Sequence, residues 1–261
     1  VVYRPNGKGM AFALFVRPVT DGQVIEKGNR IVIKGASYLT LISSTATGFL
    51  GYDQMPLTDR KQVVQKAMQQ VMDAGTDVSK LKKEHIEDYK ALFSRQDFSL
   101  HTDRSGRTDK LLKDPAAFQA VCELLYQYGK YLMISGSRRG GQPLNLQGQW
   151  NANIRPAWSS NYTVNINTQM NYWGASLCGL QECLEPYLRM VHEVCKRGGK
   201  TAKVNYGCRG FACNHNVDLW RKTAPVIGES NYMYAPLCGV WLANEIYEHY
   251  LNGGLDAERD T

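Results

Sequence analysis

A chain of 261 residues that is 43% hydrophobic and 10% aromatic carries enough apolar material to bury a core and fill one or two domains. Its mean hydropathy of -0.39, with apolar runs no longer than Met10 to Val16, predicts no membrane-spanning helix and no membrane partner. The net charge of +7 is scattered: Lys80, Lys82 and Lys83 lie beside Glu84, Glu87 and Asp88, and Lys196, Arg197 and Lys200 gather where cations suit a helix end, so no nucleic-acid partner is indicated. Seven cysteines form no CxxC pair and have no His at zinc-ligand spacing; no metal and no cofactor are expected.

The N-terminal residues Val1 to Gly7 lack an initiator Met, a basic n-region and an apolar h-region, and read as the interior of something longer rather than as a signal peptide. Four strands follow, Met10 to Val16, Gln23 to Glu26, Arg30 to Lys34 and Ser37 to Ser44, the middle two joined by a turn at Lys27-Gly28-Asn29. The period then changes. Val63, Val64, Ala67, Met68 and Val71 mark one amphipathic helix behind Asp59, and Leu81, His85, Ile86, Tyr89, Leu92 and Phe93 a second behind Ser79.

After a polar linker from His101 to Lys110, Asp114-Pro115 starts a helix whose predicted buried face is Phe118, Val121, Cys122, Leu125 and Leu132, ending at Ser135-Gly136. Further helices are predicted over Ile166 to Leu177, Glu185 to Lys196 and Pro236 to Leu251, the last stopped by Asn252-Gly253-Gly254. The fold class is α+β: the end of a β-sandwich over 1–55, a helical linker over 56–110 and a helical domain over 111–261.

Two long loops, Gly140 to Asn165 and Gly210 to Tyr234, are loaded with Asn, Gln, Trp and His. Side-chain amides both donate and accept, matching vicinal hydroxyls, and aromatic faces cover a sugar's C–H surface. Trp150 and the pair Asn165 and Asn167 stand out in the first loop; in an extended approach to a helix, that spacing turns both amides to one side. As residues alone they serve equally as N-cap and loop-tightening groups. In the second loop His215, Asn216, Asp218 and Trp220 offer a general base with an orienting carboxylate, a metal half-site or a plain hydrogen-bonded loop anchor.

These pieces resemble glycoside hydrolase family 95. The matching segments, in the family's order, are Asp88-Tyr-Lys-Ala-Leu-Phe93, Gln127-Tyr-Gly-Lys-Tyr-Leu132, Pro143-Leu-Asn-Leu-Gln-Gly-Gln-Trp-Asn151, Asn165-Ile-Asn-Thr-Gln-Met-Asn-Tyr-Trp173, His215-Asn-Val-Asp-Leu-Trp220, and Trp241-Leu with Glu248-His-Tyr-Leu251. The resemblance implies a β-sandwich, a linker and an (α/α)6 barrel, here incomplete, and an inverting α-L-fucosidase or α-L-galactosidase that uses no metal. It implies that Asn165 and Asn167 hold and polarise the attacking water, with Thr163, Trp150, His215, Asn216, Asp218 and Trp220 around the sugar. The general acid Glu and the base Asp fall beyond Thr261, so the isolated chain is expected to be inactive and to pair with the remainder of the same protein.

The family's fucosidases tend to carry His where this chain has Thr163, which leaves room for the C6 hydroxyl of L-galactose. Family members are commonly exported, though the compartment is not fixed by the residues. A non-catalytic glycan-binding or scaffold fragment, or a different α/α-barrel hydrolase, is the alternative.

Overall fold

A computed structural model describes residues 9–253 apart from 104; the N-terminal segment Val1 to Gly7 and the stop signal at Gly254 lie outside the described residues. The chain divides into two compact units, Val1–Glu87 and Asp88–Thr261. It is a mixed α+β protein of small sheets and longer helices.

In the first unit β1 (Phe12–Thr20) and β4 (Leu39–Thr47) pair antiparallel from Phe12↔Thr47 to Thr20↔Leu39. Between them β2 (Gln23–Lys27) and β3 (Arg30–Lys34) form a hairpin, turned at Gly28, whose φ of 60° suits a residue without Cβ. Strand β1 runs four residues past the predicted Val16, with Pro18 paired opposite Leu41; the Arg17-Pro18 break in apolar character hid that end. Helix α1 (Arg60–Ala74) is capped by Asp59, which accepts from the Lys61 N–H, and closes at Gly75 with φ 74°. Its buried stripe is Val63, Ala67 and Val71 only, the first two packed with Ala11, Ala13 and Ala46. The predicted Val64 and Met68 are exposed, because small alanines on the sheet let the helix settle on a single narrow ridge.

Helix α2 (Val78–Phe93) crosses the division between the units. Its cap is Asp77, which accepts from the Lys80 N–H, rather than the predicted Ser79. In the second unit, the polar stretch after Leu100 contains a short helix, α3 (Thr108–Leu111). Asp114 accepts from the Ala116 N–H at the start of a 3-10 turn that leads into α4 (Phe118–Gly136).

The buried face of α4 departs from expectation: Ala120, Glu123, Lys130, Met133 and Ile134 point inward while Phe118 and Leu125 are exposed. Two of the inward residues are charged, which erased the apolar period. Lys130 donates to the carbonyls of Phe93 (2.6 Å) and Gln96, and Glu123 accepts from the Leu100 N–H and the Ser99 hydroxyl. The helix thereby satisfies backbone groups of the segment running beside it.

The first long loop ends in β5 (Tyr162–Thr163) and α5 (Asn167–Leu177). Helix α6 (Glu185–Tyr206) ends at Gly207 in the left-handed conformation, well beyond the predicted Lys196. At Gly198, inside this extension, a Cβ would lie 2.8 Å from the Ala212 carbonyl oxygen, so glycine admits the second loop against the helix. That loop holds β6 (Asn216–Val217) and the short α7 (Ser230–Met233), and then α8 (Cys238–Leu251) begins. Tyr172, Tyr187, Leu180, Met190, Val194 and Leu242 make up the core between these helices.

Candidate active site

The two amide-rich loops meet through a two-residue ladder. Tyr162 pairs with Val217 and Thr163 with Asn216, and the Val164 N–H donates to the His215 carbonyl at 2.7 Å. The first turn of α5 fastens the same segment from the other side: the Thr168 hydroxyl donates to the Thr163 carbonyl (3.0 Å) and the Gln169 amide to the Val164 carbonyl (2.8 Å). Thr163, Val164 and His215 are thus fixed to one another by backbone bonds and to α5 by the buried side chains of Thr168 and Gln169.

Asn165 follows directly and lines a cavity of about 640 Å³ together with Tyr234, Leu237, Val240, Trp241 and Asn244. Asn167 opens α5. Among the described residues neither amide takes part in a side-chain hydrogen bond, so both keep their donors and acceptors for a ligand. Ile166 between them sits at φ 153°, ψ -39°, a region that β-branched residues rarely enter.

The second loop is anchored by groups that are fully engaged. Arg221, 1% exposed, donates to Glu193 of α6 (2.7 Å), to Gln142 of the first loop (2.7 Å) and to the Asp218 carbonyl (3.3 Å), and its guanidinium lies over the Tyr162 ring. Asn214 donates to the Thr223 carbonyl and accepts from Tyr206 and the Ala235 N–H. Asp218 accepts from the Trp220 and Lys222 N–H groups, an Asx-type turn. No hydrogen bond among the described residues joins Asp218 to His215. Burial pushes the His215 imidazole below its ordinary value, which keeps it neutral at neutral pH; its Nδ1 has no partner in the described structure, and Tyr232 meets its ring edge-on.

Of the residues singled out in the sequence, Thr163, Asn165, His215 and Asn216 are brought together by the ladder. Asp218 and Trp220 lie one turn further along the second loop. Trp150 packs elsewhere, its ring stacked on Tyr131 of α4 with centroids 6.0 Å apart. Between Trp150 and β5 the backbone makes a left-handed turn, Trp158, Ser159 and Ser160 having φ of 55°, 57° and 49°. It is held by the Ser160 hydroxyl donating to Gln147 (2.5 Å) and the Asn161 N–H donating to the Trp158 carbonyl.

Sequence reasoning missed Tyr234 and Asn244 in the cavity wall and Arg221, which ties the second loop to the first and to α6. The signal for Arg221 was its place directly after Trp220 in the second loop. Asn244 and Trp241 also line a second cavity of about 370 Å³, with Trp173, Glu245 and Glu248. There the Trp173 indole N–H donates to Glu245 (3.0 Å), and burial still raises that carboxyl above its ordinary value. Among the described residues no group of three His, Cys, Asp or Glu side chains is placed to share a metal ion, and no helix is long and apolar enough to cross a membrane.

A model of the glycosyl hydrolase family 95 catalytic domain matches residues 77–255, which include both loops and the ladder. The chain is 34% identical over 258 residues to the Arabidopsis thaliana protein named alpha-L-fucosidase 2, covering 93% of this chain and 30% of that protein. It is 33% identical over 180 residues to a probable alpha-fucosidase A of Aspergillus niger, covering 66% of this chain and 22% of the relative. A probable alpha-fucosidase A of Aspergillus oryzae is 28% identical over 271 residues, covering 94% and 37%. This chain therefore spans well under half the length of these curated relatives, and it belongs to glycosyl hydrolase family 95.

Proposed function

We propose that the protein of which this sequence forms part is an exo-acting, inverting glycoside hydrolase that releases terminal α-L-fucose or α-L-galactose from glycans. The observation that carries this reading is the pair of unengaged amides, Asn165 and Asn167, at the ladder that joins the two loops, inside the segment matched by the family's catalytic domain. An amide takes no proton at neutral pH, so Asn165 and Asn167 orient the attacking water while carboxylates move the protons. Thr163, His215 and Asn216 surround the sugar, and Asp218 and Trp220 shape the second loop behind them.

Inversion needs two carboxyl groups roughly 6.5–9.5 Å apart, with the water between. Among the described residues no carboxylate lines the cavity beside Asn165. By the family resemblance the acid and the base belong to sequence beyond these 261 residues, and in this reading the isolated chain does not turn over substrate. In this reading 1–55 is the end of a β-sandwich, 56–110 a linker, and 111–261 the opening helices of an (α/α)6 barrel. The exposed apolar residues of α5 and α8, Met170, Trp173, Leu177, Val240 and Leu251, suit helices that await neighbours.

The Thr163 hydroxyl donates to Asn161 at 2.7 Å and keeps lone pairs with which to accept from a C6 hydroxyl. The test compares kcat/KM on aryl α-L-galactoside and aryl α-L-fucoside in the longest polypeptide the gene encodes. Comparable values are expected, moving towards fucose in Thr163→His. Absence of turnover on both substrates would overturn the function, and a strong fucose preference unmoved by Thr163→His would remove the role of Thr163. Robust turnover by the 261-residue chain alone would overturn the placement of the carboxylates.

A further inference from the structure

Ile166 breaks three local rules at once. It stands at the N-cap of α5 without a side-chain cap hydrogen bond, where Ser, Thr, Asn, Asp or Gly are favoured and Ile is not. Its φ of 153° is strained for a residue with a Cβ and more so for a β-branched one. It is also 38% exposed, so core packing does not account for its presence. Strain of this kind persists only where the surroundings over-determine the backbone.

Here they do. The Thr163 and Val164 carbonyls are held by Thr168 and by Gln169, itself fully buried, the Val164 N–H is held by His215, and the Ile166 carbonyl accepts from the Met170 N–H at 2.8 Å. The backbone on both sides of Ile166 is therefore held, and the two residues it separates are the amides left unengaged.

We propose that Ile166 is a positioning residue: its stiff side chain and forced backbone lock the directions of Asn165 and Asn167, so that both amides meet a bound water in one fixed geometry. The proposal deepens the hydrolase reading and rests on it for its kinetic consequence. In structural terms it stands alone, since it states that the two side chains are ordered before any ligand binds.

The decisive variant is Ile166→Gly, which relieves the strain and supplies a better N-cap residue, with Ile166→Val as the conservative control. On the 261-residue chain, thermal melting and ¹⁵N relaxation of the two side-chain amides are measured. On the longest polypeptide the gene encodes, kcat and KM for an aryl α-L-fucoside are measured. The expected result is a melting temperature in the glycine variant no lower than the parent's, lost order at both amides, and kcat down about 10- to 100-fold with KM little changed; valine restores all three.

A glycine variant with parental amide order, or with parental kcat, would overturn the proposal, as would a lower melting temperature, which would make Ile166 a packing residue. Lost amide order in a protein that shows no glycosidase activity would retain the positioning role and reject the hydrolase reading instead.

Discussion

The two loops are built from the same kinds of residue, and two sets of these residues are used in opposite ways. In the second, Asn214, Asp218 and Arg221 are engaged by backbone carbonyls, backbone N–H groups and Glu193. In the first, Asn165 and Asn167 end a segment whose backbone is fastened on both sides while their own amides stay open. A polar residue that completes a fold and one that waits for a ligand are told apart by their hydrogen-bond partners, not by residue type. Glu245 stands between the two cases, half satisfied by Trp173.

The contrast can be broken most sharply at Arg221. Arg221→Ala leaves Glu193 without its buried partner, and chemical denaturation is expected to show a loss of about 3–5 kcal/mol. Asn214→Ala removes three hydrogen bonds from a buried site and is expected to cost about 2–3 kcal/mol by the same measurement.

Glu245 gives a smaller, pH-dependent effect. Its folded pKa lies above the ordinary 4.5, so its contribution to stability is present below that value and is lost as pH rises through the raised pKa. Glu245→Gln keeps an acceptor for the Trp173 indole and is expected to raise the melting temperature at neutral pH and flatten its dependence on pH. The smallest effect on stability belongs to Asn165→Ala and Asn167→Ala, each within about 0.5 kcal/mol of the parent. In the polypeptide that shows turnover, however, either change is expected to lower kcat by about 10²- to 10³-fold. A large stability loss in either variant would erase the contrast between the loops.

Much of this was legible in the residues. The cap at Asp59, the turn at Gly28 and the start at Asp114 were, because each rests on local chemistry. The density of amides and indoles marked both loops. The ladder at Tyr162–Thr163 and Asn216–Val217 was not legible, since two residues carry no period and the pairing spans some fifty positions of sequence. The inward face of α4 was misread because its buried Glu123 and Lys130 serve backbone groups of a neighbouring segment, a demand that exists only once the chain is folded. For α6, Gly198 carried a meaning that only Ala212 could reveal.

The turn at Trp158, Ser159 and Ser160 has a consequence for chirality. Three successive L-residues there follow the path natural to their mirror images. At 159 the usual ranking of substitutions therefore inverts: glycine, or a D-serine placed by chemical synthesis, fits with less strain than the native residue, and valine or isoleucine fits worst.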